Sequence, residues 1–413
     1  MLDTKRIRAD FPMLKQTRLI NGHPLVYFDN AATTFKPQVV IDEVVNYYQD
    51  LSTNAHRGDY ELSYQVSKEY EESRAVVANF INADPNCIVF TSGASMSLNL
   101  VAYGYGQKFL KPGDVVLLSE AEHASNILPW FKATEVTGAV IEYIPLDEEG
   151  RLTIENFKKV LHDKVKVVSI ANVTNVLGFI APTKEIAALA HQVGAILVVD
   201  SAQGSAHMKT DVKGDDVDFL AFSGHKICGP TGVGILYGKK ELLEITDPFM
   251  MGGGSNARFD ICGNILLKNP PYKFEAGTPA IEAVLGMAKA IEYVSEIGMD
   301  NIRNHETELR KYLMERLSSL DNLTIYNPKA DTGIITFNVK GVFAQDAAAY
   351  LNKKGICVRA GNHCAKILLD FLTTSETLRC SLYFYNTKEE ADRFYEVLKT
   401  TTLENSVDVL FED

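Results

Sequence analysis

The chain has 413 residues, too many for one ordinary hydrophobic core and enough for two domains. Its 46% hydrophobic and 23% charged residues are the balance of a globular protein in water, which excludes a disordered or collagen-like chain. Acidic residues outnumber basic ones by 53 to 41, and a net charge of −12 argues against nonspecific nucleic-acid binding.

The first six residues carry charges with no apolar stretch, so no secretory signal is expected. No run of 18 apolar residues is present, so no membrane-spanning helix is expected either. The six cysteines, at 87, 228, 262, 357, 364 and 380, are scattered and form no Cys-x-x-Cys. That is the pattern of a reduced, cytoplasmic protein rather than of a disulfide framework or a zinc cluster.

Residues 1–20 read as a short helix and a connector, interrupted at Asp10-Phe11-Pro12. A strand over 25–28 leads into Asp29-Asn30-Ala31-Ala32. A helix over 37–51 follows, with Pro37 in its first turn, then the polar loop Asn54-Ala55-His56-Arg57-Gly58 and a helix over 64–81. The strand 87–90 runs into Thr91-Ser92-Gly93-Ala94-Ser95 and a further helix. A strand, a small polar turn and a helix place backbone N–H groups and a hydroxyl at a helix N-terminus, which suits a phosphate.

Strand 114–118 precedes Glu122-His123, and strand 165–170 precedes Asn172-Val173-Thr174-Asn175. Strands 196–199 and 218–222 are short apolar runs, the first ending on Asp200 with Gln203 just beyond, the second on Ser223-Gly224-His225-Lys226. The alternation of strand and helix continues to about Tyr237 and predicts a mainly parallel sheet with helices on both faces. Gly252-Gly253-Gly254 and Gly277-Thr278-Pro279 close this part.

From residue 280 a helical pattern runs to about 320 with a break at Gly298. Beyond it comes a β-α-β pattern: strand 332–339, helix 344–354 and strand 356–359. His363-Cys364, a strand over 378–382 and a helix over 388–400 complete the chain. The fold class expected is α/β. Residues 21–290 form a large domain around a mainly parallel sheet of the seven-stranded type, and residues 1–20 and 291–413 form a smaller α+β domain.

In open α/β sheets ligands sit at the carboxyl edge of the strands. Here one strand end delivers a carboxylate, Asp200, and the next a lysine, Lys226. A pyridoxal 5′-phosphate (PLP) enzyme needs that pair: a lysine to carry the cofactor and an acid to keep the pyridine nitrogen protonated. A nicotinamide-binding domain is not indicated, because no Gly-x-Gly-x-x-Gly turn follows an early strand.

Taken together and in order, these motifs resemble the fold-type I PLP enzymes of the class V aminotransferase superfamily. Within it they resemble the group II (SufS-type) cysteine desulfurases over nearly the whole chain. The segment Arg359-Ala360-Gly361-Asn362-His363-Cys364-Ala365 separates this group from its relatives. Two stretches depart from the family pattern. The turn usually read as Arg-Gly-Thr-Thr is Ser92-Gly93-Ala94-Ser95, and Gly-Gly-Gly-Glu-Met is Gly252-Gly253-Gly254-Ser255-Asn256. In the usual His-His-Cys the first histidine is replaced by Asn362.

The resemblance implies a set of roles. Lys226 carries PLP covalently and then moves the α-proton of the substrate. Asp200 pairs with the pyridine nitrogen, Gln203 with the ring oxygen, and His123 stacks on the ring and serves in acid–base steps. Ser95, Ser223 and His225 hold the phosphate with backbone help from Ala94, and Thr278 reaches the phosphate of the other subunit of a homodimer. Asn175 and Arg379 bind the substrate carboxylate. Arg359 steadies the cysteine loop, while Ala31, His56 and Arg57 line the approach to the site.

Cys364 is the implied nucleophile, with Arg359, His363 and the cofactor's positive face favouring its thiolate. The implied reaction converts L-cysteine to L-alanine, leaves a persulfide on Cys364 and passes the sulfur to an acceptor protein of the SufE or SufU type for iron–sulfur cluster assembly. A selenocysteine lyase or cysteine sulfinate desulfinase of the same fold is the alternative. A non-catalytic scaffold is a further one, against which the intact Lys226, Asp200 and Cys364 speak.

Overall fold

The computed structural model describes residues 2–15 and 18–408. Seven strands make the central sheet: β1 (Ile88–Thr91), β2 (Val115–Ser119), β3 (Val140–Ile144), β4 (Val165–Ala171), β5 (Ile196–Asp200), β6 (Phe219–Ser223) and β7 (Gly234–Gly238). Their order across the sheet is β1-β7-β6-β5-β4-β2-β3. The run from β3 to β6 is parallel, and β7 pairs antiparallel with both β6 and β1.

The reversal at β7 has a simple cause. Only residues 224–233 separate it from β6, too few for a crossover helix, so the chain turns straight back. Strands covered on both faces are built as continuous apolar runs, and β1, β2, β5, β6 and β7 are buried along their whole length. β3 is an edge strand and mostly half-buried, which is why its mixed sequence Val-Ile-Glu-Tyr-Ile gives no clear strand signal.

Helices Ile281–Ile297 and Met299–Leu317 are divided at Gly298, whose φ of +90° suits glycine. Past them a four-stranded antiparallel sheet forms from β8 (Leu323–Ile325), β9 (Ile334–Val339), β10 (Arg359–Gly361) and β11 (Thr377–Ser381), in the order β8-β9-β11-β10. Helices Ala344–Lys353 and Lys388–Lys399 belong to the same part of the chain; the second begins with a capping box between Thr387 and Glu390.

The strand expected over 25–28 is present as Val26–Tyr27, but it joins neither sheet. It pairs in parallel with Ile356–Cys357, and Val26 and Phe28 pack with Leu309, Phe337 and Phe394. Asp29 follows directly and bridges to Ser381 at the end of β11. The N-terminal segment is thereby stitched to the last third of the chain. The helix expected over 37–51 is α-helical over Gln38–Asn46 and widens to a π turn over Tyr47–Leu51. An exposed hairpin, Asn256–Phe259 with Ile265–Leu267, has no alternating pattern and was not expected.

Candidate active site

The carboxyl ends of β2, β4, β5 and β6 point to one edge of the sheet, where a cavity of about 320 Å³ opens. Asp200 ends β5 and is buried beneath it, its Oδ1 accepting the Ala202 N–H at 2.9 Å. β6 ends on Ser223, whose Oγ accepts the Ala94 N–H at 2.8 Å. The Ala94 N–H is therefore already used, and the Ser223 hydroxyl proton is what that pair leaves for an anion. Ser95 Oγ lies 2.7 Å from Ser125 Oγ at the start of helix Ala94–Val101.

This turn depends on close backbone approach. A Cβ placed on Gly234 in β7 would lie 2.4 Å from the Gly93 Cα. Gly234→Ala is expected to push the 92–95 turn aside, to cost about 1–3 kcal/mol of stability and to weaken cofactor retention. A thermal melt with and without added PLP checks both.

The tight turn Gly224–Lys226 carries the next two groups. Burial pulls the Lys226 amine down to about 8; Asp200 opposes the shift, while Arg379 and Arg359 add to it. Burial, with Lys226 and Lys36 nearby, takes His225 down to about 4, so its imidazole is neutral at pH 7. His123 accepts the Ser125 N–H on Nδ1 at 3.1 Å, which leaves its proton on Nε2, and burial lowers its pKa too.

Four buried polar atoms of residues lining this cavity have no partner among the described residues: Gln203 Oε1, Asn175 Oδ1, His363 Nδ1 and Arg379 Nε. Gln203 gives one amide hydrogen to the Ala31 carbonyl at 2.8 Å, Asn175 donates to the His363 carbonyl at 2.8 Å, and Arg379 Nη1 donates to the Asn175 carbonyl at 2.8 Å. Each side chain is thus held at one end and unsatisfied at the other. Buried polar groups are normally paired, so such a set suits a polar ligand. An acid, a low-pKa amine, a hydroxyl-lined helix start and spare amide and guanidinium groups fit a phosphorylated pyridine aldehyde bound beside an amino-acid carboxylate.

Cys364 enters from the other part of the chain. His363 and Cys364 both adopt left-handed backbone, with φ of +50° and +56°. The loop is fixed where the Ala124 N–H donates to the Cys364 carbonyl at 2.7 Å, where Asn175 holds the His363 carbonyl, and where Asn362 Oδ1 accepts the Cys364 N–H at 3.1 Å. The thiol is exposed, and both Arg359 and Arg379 interact with it electrostatically. His363 is not a cation here: burial takes its pKa to about 3, and its Nε2 faces Thr377.

Ala31, Ala94, Ser95, His123, Asn175 and Asp200 line the cavity, as do Gln203, Ser223, His225, Lys226, Arg359, Cys364 and Arg379. Three expected residues lie elsewhere in the single chain. His56 pairs with Glu71 at 3.1 Å, Arg57 Nη2 donates to the Gly253 and Gly277 carbonyls, and Thr278 Oγ1 accepts from Asn54. His56 and Arg57 line a separate cavity of about 350 Å³.

Two residues at the site stand in motifs read from the sequence but were given no role there. Glu122 is buried behind His123, accepts from Ser119 and Asn126, and is pushed up by that burial to about 7. Asp29 pairs with Arg359 at 3.0 Å and with Arg379 at 3.4 Å. Both are contacts that only the folded chain creates.

Residues 26–394 match the aminotransferase class-V family. The chain belongs to that family. A protein of Synechocystis sp. named as a probable cysteine desulfurase is 44% identical over 400 residues, covering 96% of this chain and 94% of that one. A cysteine desulfurase of Haloferax volcanii is 40% identical, covering 96% of each. Among solved class-V relatives, the cysteine desulfurase CsdA of Escherichia coli superposes with a TM-score of 0.90 at 31% identity over 99% of both chains. The apo cysteine desulfurase of Thermococcus onnurineus superposes with a TM-score of 0.91 at 38% identity, over 97% of this chain and 98% of that one. The seven-stranded, mainly parallel sheet with flanking helices is the fold these structures share with it.

Proposed function

We propose that this class-V protein is a PLP-dependent cysteine desulfurase that makes L-alanine and a persulfide on Cys364. The observation that carries this reading is the meeting, in one cavity, of Lys226 and Asp200 from adjacent strand ends with Cys364 from a distant loop. Full-length relatives named as cysteine desulfurases support it.

PLP, when bound, supplies an electron sink for the α-carbon of an amino acid. Lys226 would carry it, Asp200 would hold a proton on its ring nitrogen, and the spare amide hydrogen of Gln203 would serve its ring oxygen. Ser95, Ser223 and a neutral His225 hold the phosphate by hydrogen bonds, at the start of helix Ala94–Val101. Arg379 and Asn175 take the substrate carboxylate, since a guanidinium fork matches its two oxygens. Lys226 moves the α-proton, a role that an amine with a pKa near 8 fills close to neutral pH.

Cys364 attacks the substrate sulfur. The new S–S bond forms as the substrate C–S bond breaks, and the electron pair left on carbon takes up a proton, with His123 Nε2–H the donor. One cysteine and one Cys364 thiol become one alanine and one Cys364 persulfide, so no outside oxidant is consumed.

The proposal extends to the assembly. The chain works as a homodimer in which Thr278, His56 and Arg57 serve the partner's site, and sulfur passes to a SufE- or SufU-type acceptor for iron–sulfur cluster assembly in the cytoplasm. No helix among the described residues is long and apolar enough to cross a membrane. We also propose the division into a large unit of 21–290 and a smaller one of 1–20 with 291–413, the segment around Val26–Phe28 crossing over to pack in the core of the smaller one. The test of the activity is a visible absorption spectrum of the purified protein, followed by measurement of alanine and sulfide from L-cysteine with a thiol reductant. Equal amounts of both from a yellow protein are expected; a protein that stays colourless with added PLP refutes the reading.

A further inference from the structure

Two guanidinium groups face the cavity, yet the amino-acid substrate proposed above has one carboxylate. Asp29 resolves this mismatch. Arg359 donates through Nε to Asp29 Oδ1 and Oδ2, both at 3.2 Å, and through Nη2 to Oδ2 at 3.0 Å. Arg379 touches the same carboxylate with Nη2 only, at 3.4 Å, and keeps its Nε without a partner among the described residues. Asp29 is itself half-buried and is not among the residues lining the cavity, yet it pairs with both arginines. Its backbone is anchored by the bridge to Ser381 at the end of the strand that bears Arg379.

The two arginines are therefore not equivalent. The Nε edge of Arg359 is occupied and its charge is matched inside the protein. Arg379 retains an open edge beside Asn175. Both lie within electrostatic reach of Cys364, so both are near the end of the site where a substrate side chain meets the nucleophile. An amino acid with a second anion on its side chain would call on Arg359 as well as Arg379.

We propose that Asp29 is a specificity-determining residue: by engaging Arg359 it leaves one guanidinium open to the substrate and disfavours substrates with a negatively charged side chain, such as cysteine sulfinate, relative to cysteine. The inference rests on the desulfurase reading for its substrates. Asp29 acts through the arginines and touches no reacting atom.

The test compares ligands that differ by one charge and contain no sulfur. L-Aspartate mimics cysteine sulfinate and L-alanine mimics the uncharged case. Each is titrated into the PLP-loaded wild type and Asp29→Asn, with the cofactor absorbance reporting binding. Freeing Arg359 is expected to tighten aspartate relative to alanine by about tenfold, and to raise kcat/KM for cysteine sulfinate over that for cysteine in the same proportion. An aspartate-to-alanine ratio that stays at the wild-type value overturns the proposal.

If Asp29→Asn does not fold or load, Arg359→Gln decides. With Arg359 already engaged by Asp29, its loss moves the aspartate-to-alanine ratio little; a selective weakening of aspartate by about tenfold shows that Arg359 was available, and the proposal falls. A wild type that makes no alanine from cysteine defeats the desulfurase reading alone, because the aspartate and alanine titrations still report on Asp29.

Discussion

Lys226→Ala is expected to lower alanine formation by about 10⁴-fold or more, the upper range for removal of a positioned proton carrier, and to leave a protein that still binds PLP weakly. In the proposed reaction the amine has two tasks, holding the cofactor and moving the α-proton, and no second lysine among the described residues lines the cavity. The fold should survive, because Lys226 lies on a short turn past the end of β6 rather than in the sheet. The pKa near 8 adds a check that needs no substrate. Only the neutral amine attacks the aldehyde of PLP, so the rate at which the cofactor-free protein takes up PLP should rise with pH up to about 8 and level off above it. Stopped-flow absorbance follows that rate. A rise that continues to pH 10 would mean that burial does not depress this lysine.

Cys364→Ala is expected to remove persulfide formation altogether and to cut alanine production from cysteine by about a hundredfold or more, while the yellow colour and the binding of cysteine remain. The side chain is exposed and packs against nothing the fold needs, so stability should change little. Cysteine sulfinate separates the roles further. Its side chain leaves without attack by a thiol, so whatever turnover the wild type shows on it should persist in the variant. Persulfide labelling followed by mass spectrometry locates the sulfur. A Cys364→Ala protein that still releases sulfur from cysteine at the wild-type rate would shift the assignment to the lyase alternative.

The parts of the site that the sequence makes legible are those that chain order alone brings to one edge. Asp200, Ser223 and Lys226 each follow a short apolar strand, and parallel strands deliver their ends to the same place. The break at Gly298 is legible for the same local reason. What the sequence conceals is set by contacts between distant residues. Asp29 meets Arg359 across 330 positions and Arg379 across 350. His363 looks like a cation in a motif but becomes a neutral ring through burial and the nearby Arg379 charge, against the pull of its hydrogen bond to Thr377. Residues 25–28 have the composition of a sheet strand, yet their partner is Ile356–Cys357, because Val26 and Phe28 are needed to fill the smaller core. The Ala94 N–H, expected to face a phosphate, is already engaged by Ser223.

The tethering of the cysteine loop bears on how sulfur can leave. With the Cys364 carbonyl held by the Ala124 N–H and the preceding carbonyl held by Asn175, two successive left-handed residues sit between fixed points. Such a segment works as a post and not as a swinging arm. Cargo loaded on it stays at the mouth of the cavity, a fixed address. In the proposed transfer, delivery would then fall to the acceptor, whose own thiol would have to come to the mouth of the cavity.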